Sequence, residues 1–148
     1  MTTVLGLDAK AYRNTGTWGS PVWNLVANIR DATLGLEKGE ADVSTRGGNG
    51  WEQIVSTLKS ANIQFSMVWD TGDEDFEALK DAFINNTLID MWFVDGDTST
   101  SGNQGLRAEF EVTGFSRNEQ LREALTVDVT LKPGRSTVSQ PPEWKAVP

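Results

Sequence analysis

Apolar residues recur at every second position through most of this chain, which is the period of half-buried β-strands. The clearest cases lie late. Leu106, Ala108, Phe110 and Val112 share one side of a strand, and Arg107, Glu109, Glu111 and Thr113 the other. Leu125, Val127, Val129 and Leu131 stand in the same way against Thr126, Asp128, Thr130 and Lys132. Upstream, Ile63, Phe65, Met67 and Trp69 mark a third such face. Near the start, Leu7, Ala9, Ala11 and Arg13 alternate with polar or aromatic neighbours. Residues 22–28 read as a strand and 29–38 as the next, with Ala32, Leu34 and Leu36 aligned. Residues 51–58 read as a strand separate from the one carrying Ile63, and 88–94 as a buried strand despite Asp90.

One segment changes period. Phe76, Leu79 and Phe83 fall at i, i+3 and i+7 with Ala82 beside them, a single apolar stripe that predicts a helix lying on the body of the domain. Thr71-Gly-Asp-Glu74 has the spacing of a capping box, so Thr71 is the expected N-cap. Asp73, Glu74 and Asp75 complement the helix dipole in the first turn, and Asn85-Asn86 end the helix.

Three stretches carry no apolar period. Residues 39–50 are polar and end in a glycine cluster. A loop of that length inside a compact domain has a function or is disordered. It cannot bury an apolar face alone, so its order is expected to come from a neighbour. Residues 95–105 are rich in Ser, Thr and Gly and predict a hairpin turn. From Pro133 onward, Gly134, Pro141, Pro142 and Pro148 predict an exposed, extended tail. The expected fold is mainly β: an antiparallel sandwich or flattened barrel with one flanking α-helix, a long inter-strand loop and an extended C-terminal arm. The domain is expected over 1–132, with 39–50 as its special loop and 133–148 as the arm.

Composition narrows the chemistry. The 148 residues fit one domain. There is no cysteine and no histidine, which removes disulfides, thiolate nucleophiles, the usual zinc sites and the commonest general base. No apolar run approaches the ~20 residues that span a bilayer. The first residues lack a basic region followed by an apolar stretch, so no secretory signal is expected. The formal net charge is −8, from 21 acidic and 13 basic residues. Lys and Arg are scattered singly, which argues against tight nucleic-acid binding. An acidic surface suits DNA that must pass without adhering, and general solubility accounts for the charge equally well.

Motifs that invite chemistry fail on inspection. Asp95-Gly-Asp97 begins like a calcium loop, but its sixth position is Thr100 and its twelfth Leu106. Asp70, Asp73, Glu74 and Asp75 form a carboxylate cluster that helix capping explains without catalysis. Arg46-Gly47-Gly48 is a single fragment of an RNA-binding tract, and Gly47-Gly48-Asn49-Gly50 lacks the Lys-Ser/Thr of a phosphate loop. No catalytic, cofactor or metal residues are assigned. Of the six tryptophans, Trp69 and Trp92 lie in apolar strands. Trp18 and Trp144 lie in polar segments, where an interface and a fold-back onto the domain are equally open readings.

The order of segments resembles a known family over nearly the whole chain. The resemblance is carried by Ala11-Tyr-Arg-Asn14, Ile29-Arg-Asp-Ala-Thr-Leu-Gly-Leu36, and Glu37 through Arg46 with the glycine cluster and Trp51. It continues through Phe65-Ser-Met-Val-Trp-Asp70, the capped helix, Gly105-Leu-Arg-Ala-Glu-Phe110, Phe115-Ser-Arg-Asn118 and Val127-Asp-Val-Thr-Leu-Lys-Pro133. This pattern is similar to the major tail tube proteins of long, flexible-tailed bacteriophages (siphophages), which are related to the tubes of contractile tails and of type VI secretion. The resemblance implies a structural, non-enzymatic virion protein without cofactors. It implies hexameric rings that stack around a tape measure protein, meet a tail terminator and a distal tail protein, and give a lumen that passes double-stranded DNA.

It further implies that a long loop and the termini bridge subunits, which nominates Glu40, Asp42, Val43, Arg46, Gly47, Gly48 and Asn49, with Trp18 and Trp144 as interface aromatics. Glu109, Glu111 and Asp128, outward on the late strands, are the lumen candidates. Two alternatives stand beside this: a tube protein of a related contractile or secretion machine, and a β-sandwich carbohydrate-binding module using Trp18 and Trp144 as sugar platforms.

Overall fold

The computed structural model describes residues 3, 5–136 and 139–148. Its strands are β1 (Lys10–Asn14), β2 (Trp23–Leu25), β3 (Ile29–Asp42), β4 (Ile54–Val68), β5 (Leu88–Val94), β6 (Gln104–Asn118), β7 (Thr126–Pro133) and β8 (Glu143–Ala146). One helix, α1 (Glu74–Asn85), stands between β4 and β5. The protein is mainly β with a single α-helix, as the alternation predicts. The strands form one antiparallel sheet in the order β2-β1-β5-β6-β7-β4-β3, with β8 added on β6. The sheet is not closed into a barrel: its terminal strands β2 and β3 are not paired with each other.

β6 is what lets one sheet fold over on itself. Its first part, Gly105 to Glu111, pairs with β5, and its second part, Phe110 to Asn118, pairs with β7. A register shift between Val112 and Gly114 marks a bulge, which sharpens the local twist. The two halves of the sheet then face each other across the core, where Phe93 of β5 lies 5.7 Å from Phe110 and 6.3 Å from Phe65 of β4. Ile63, Phe65 and Met67 of β4, Phe110 of β6, and Val127, Val129 and Leu131 of β7 are almost fully buried, as the period-two pattern requires. Burying each such side chain stabilises the fold by about 1.5–3 kcal/mol. Gly105 is forced by backbone proximity: a Cβ there would collide with the Phe93 carbonyl oxygen of the neighbouring strand.

α1 covers the core with Phe76, Leu79 and Ala82, and Phe83 stacks on Phe115 with ring centroids 6.1 Å apart. Its cap differs from the expected one. The Asp70 side chain accepts the Gly72 N–H and its carbonyl accepts the Asp73 N–H, making a turn that consumes the residues around Thr71. The helix therefore starts two residues later, with Asp73 as N-cap accepting from the Asp75 N–H at 3.1 Å. Asn86 closes it in the left-handed conformation at φ 55°.

Three further expectations are corrected. Residues 39–42 belong to β3, so the special loop is shorter than 39–50. Residues 51–58 are not a separate strand, because Ile54 to Val68 run unbroken as β4. Polar, exposed Lys59 and Ser60 interrupt the apolar pattern between residues 58 and 63, yet they pair with Lys38 and Glu37 across the ladder. The C-terminal segment does not extend away as an arm, because β8 pairs with Gln104 to Arg107 of β6 on the edge that β7 uses farther along. No helix among the described residues is long and apolar enough to cross a membrane.

Candidate assembly surfaces

The β3–β4 hairpin is the most exposed element of the protein. Near the body it shares the core through Ile63, Phe65 and Met67. Beyond Ala61 the ladder continues from Leu36↔Ala61 to Asp42↔Ile54 with every residue of 36–42 and 54–60 exposed. At a rise of about 3.3 Å per residue this free portion projects roughly 20 Å. Solvent-exposed apolar side chains collect on it: Leu36, Val43, Trp51, Ile54, Val55 and Leu58. Apolar residues grouped on a projecting element mark a contact surface.

The tip carries Val43, Arg46, Gly47, Gly48 and Asn49 of the nominated set, with Glu40 and Asp42 in the paired strand beneath. It makes hydrogen bonds of its own. The Gln53 N–H donates to Ser44 Oγ at 2.8 Å and the Val43 N–H to the Gln53 carbonyl at 3.0 Å. The Ser44 N–H donates to Asp42 Oδ1 at 2.8 Å, and hydrogen bonding to Ser44 holds the Asp42 carboxyl below its ordinary value. A 3-10 turn spans Arg46–Gly48, and Asn49 follows in the left-handed region.

The lumen candidates do not form one open acidic row. Glu111 and Asp128 are exposed on the outward face of the sheet, together with Gln64, Ser116 and Lys132. In register Glu111 lies opposite Lys132, and Asp128 accepts from the Asn118 amide at 2.8 Å. Glu109 is only 9% exposed. The chain leaving β7 crosses over it: the Gly134 N–H donates to the Glu109 carbonyl and Ser136 Oγ to its carboxylate at 3.0 Å. Alternation placed Glu109 on the correct face, but it carries no information about a later segment folding across that face.

The outward face around β5 and the start of β6 is likewise covered, and sequence reasoning missed its centre. Arg107 is 2% exposed. It donates to Asp90 Oδ2 at 2.9 Å and to the Trp18 carbonyl at 3.0 Å, and its guanidinium lies 3.8 Å from the centroid of the Trp18 ring. Asn14 also donates to Asp90, at 2.8 Å. The polar alternation of β6 and the lone Asp90 in an apolar strand were the two signals that could have revealed this pair. Trp18 therefore folds back onto its own domain and offers no open sugar platform. Trp144 stays 55% exposed, with Nε1 donating to Gln104 Oε1 at 2.8 Å.

The acidic residues at the start of α1 are structural: Asp70 makes the preceding turn, Asp73 caps, and Asp75 in the first turn pairs with Arg13 at 2.7 Å. In the 95–105 hairpin turn, hydrogen bonds from Ser99 lower the Asp97 pKa. Among the described residues no three acidic groups are placed to hold a metal ion. A groove of about 570 Å³ lies at the open end of the folded sheet, floored by Ala11, Val26, Ile63 and Phe93, with Trp144 beside it.

A family model described as "Phage tail tube protein" matches residues 13–136 of the chain. The chain belongs to the phage tail tube protein family. Tail tube proteins are structural components of phage tails. Among solved structures, the tail of an empty gene transfer agent particle, refined with C6 symmetry, superposes with a TM-score of 0.72 at 15% identity, covering 97% of this tail tube protein and 100% of that chain. The SPP1 tail tube superposes with a TM-score of 0.67 at 16% identity, over 88% of this chain and 75% of that one. A sheath–tube complex of an extracellular contractile injection system gives 0.62 at 11% identity, over 98% and 93%. At these identities the likenesses establish the fold. Among curated proteins none matches the chain.

Proposed function

We propose that this tail tube protein assembles into hexameric rings that stack into a sheathless tube, the conduit for DNA leaving the virion. The observation that carries the reading is the β3–β4 hairpin. A roughly 20 Å projection with apolar side chains on it and no partner among the described residues of its own chain is costly for a monomer and useful to a polymer. The unpaired edges of β2 and β3 point the same way, because joining neighbouring sheets satisfies their backbone groups. The C6 symmetry of the similar gene transfer agent tail supports six subunits per ring. Rings of this kind form around a tape measure protein and end on terminator and distal tail proteins. The subunit does no chemistry in this role.

Within the tube, the hairpin residues Glu40, Asp42, Val43, Arg46, Gly47, Gly48 and Asn49 bridge neighbours, joined by Trp51, Ile54 and Val55. The outward polar face with Glu111 and Asp128 is the wall presented to DNA. Its mixture of carboxylates and uncharged polar groups, moderated by Lys132, repels phosphate weakly and binds no base. Trimming the hairpin tests the reading. Replacing residues 43–53 by Asn-Gly keeps Asp42 opposite Ile54 and joins the two strands through a tight two-residue turn. The trimmed protein should stay a folded monomer by sedimentation, while the intact protein forms open-channelled tubes in negative-stain micrographs. Tubes of normal appearance from the trimmed protein would overturn the assignment.

A further inference from the structure

Resting on the tube reading, we infer that the groove at the open end of the sheet is the socket for the β3–β4 hairpin of a second copy of this chain. The groove exists because the sheet does not close. β1 and β2 on one side and β3 on the other leave core residues Ala11, Val26, Ile63 and Phe93 at its floor, with Leu25 and Leu34 on its walls. Its volume of about 570 Å³ lies inside the range of roughly 300–1,000 Å³ found for sites that seat a ligand. Ala11, Val26 and Ile63 on the floor are already buried, but Leu25 and Leu34 on the walls are exposed apolar side chains that gain by being covered.

The chain's own hairpin cannot be the occupant. Ile29 and Leu34, at its base, line the groove, while the tip lies roughly 20 Å farther along an unbroken antiparallel ladder that cannot fold back on itself. A second copy can supply what the groove lacks. The tip and free strands offer Val43, Trp51, Ile54 and Val55, all exposed. Charge agrees in sign. Lys10 and Arg30 line the groove against Asp95. The hairpin beyond Leu36 carries Glu37, Glu40, Asp42 and Glu52 against Lys38, Arg46 and Lys59. The free edges of β2 and β3 flank the groove, so an inserted hairpin can add backbone hydrogen bonds to apolar contact. Knob and socket are different surfaces, so the contact is head-to-tail and is not exhausted by dimer formation. Each copy gives one hairpin and receives one.

The absence of cysteine makes the test clean. Leu25→Cys places a thiol on the groove wall and Val55→Cys one on the hairpin. Both sites are about half exposed, so the fold tolerates the changes. Wild-type protein is first checked for tubes by microscopy, and its failure to form any defeats the tube reading itself, before the socket is tested. Tubes of the double variant, oxidised and run without reductant, should give a ladder of covalent multimers, and each single variant should give none. A mixture of the two single variants should give dimers. Tubes without cross-links, or with Val55→Cys hairpins joined only to each other, would overturn the socket. As a second measurement, Leu25→Glu should raise the concentration needed for assembly at least about tenfold with an unchanged circular dichroism spectrum, since the incoming hairpin would have to bury an unpaired carboxylate. An unchanged assembly threshold would overturn the inference as well.

Discussion

Arg107→Met should destabilise the folded subunit by about 3–5 kcal/mol, the cost expected when one partner of a buried ion pair is removed. The magnitude follows from what Arg107 touches. Its side chain is 3% exposed and that of Asp90 13%. Methionine would leave the Asp90 carboxylate under the aromatic cover, with the Asn14 amide as its remaining side-chain donor. The change also removes the cation–π contact with Trp18, worth about 0.5–2 kcal/mol, and the hydrogen bond to the Trp18 carbonyl. In a domain of this size 1 kcal/mol corresponds to about 2–4 °C in melting temperature, so a fall of roughly 6–20 °C is expected. Urea denaturation of the monomer is the assay, with Arg107→Met, Asp90→Leu and the double variant forming a cycle. The double variant should recover most of the single-variant loss, because the buried charge is then gone. A single-variant cost below about 1 kcal/mol, or additive losses in the double variant, would refute a desolvated, coupled pair.

Asp73→Ala should cost about 1 kcal/mol in urea denaturation by leaving the first turn of α1 uncapped, whereas Thr71→Ala should cost little. Asp42 has a folded pKa lowered from 3.8 by its bonds to Ser44, so its contribution to the hairpin tip is present above the unfolded value and disappears as pH falls through the folded one. In NMR titration the Asp42 carboxyl of Ser44→Ala should titrate nearer 3.8 than in the parent, and an unmoved midpoint would contradict the assigned cause. Glu111→Lys with Asp128→Lys should leave tube formation intact but make DNA ejection slower, most at low salt where screening is weak. Unchanged ejection, with the new lysines modified by a reagent too large for the channel, would place this face outside the tube.

The parts of the fold that depend on a local period were legible. Ile63, Phe65 and Met67, and Val127, Val129 and Leu131, sit where alternation put them, and Phe76 and Leu79 where the helical stripe did. Glu109 and Trp18 were not legible, because what covers them comes from segments about 25 and 90 residues away along the chain, and periodicity is blind to such packing. The length of the hairpin was missed for the opposite reason. Residues 29–38 and 51–58 read as strands, but 39–42 bury nothing and 59–60 are polar and exposed, so hydrophobic patterning did not show that the strands run on through them, and the ladder there rests on cross-strand pairing. β8 escaped notice because its four residues, Glu143–Ala146, three of them exposed, show no apolar alternation.

The junction between β7 and β8 has a practical consequence. Both strands lie along the same edge of β6, Pro133 opposite Phe110 and Glu143 opposite Arg107. The intervening chain leaves that edge and returns to it only three positions along, a gap of roughly 10 Å at strand spacing. Foreign sequence spliced after Gln140 would enter and exit the sheet through anchors already fixed, interrupting no hydrogen-bonded rung. Because Ser136 and Gln140 lie over Glu109, on the face shared with Glu111 and Asp128, such an insert would stand on the side proposed to meet DNA, and a polymer built from it would have its channel narrowed at every subunit.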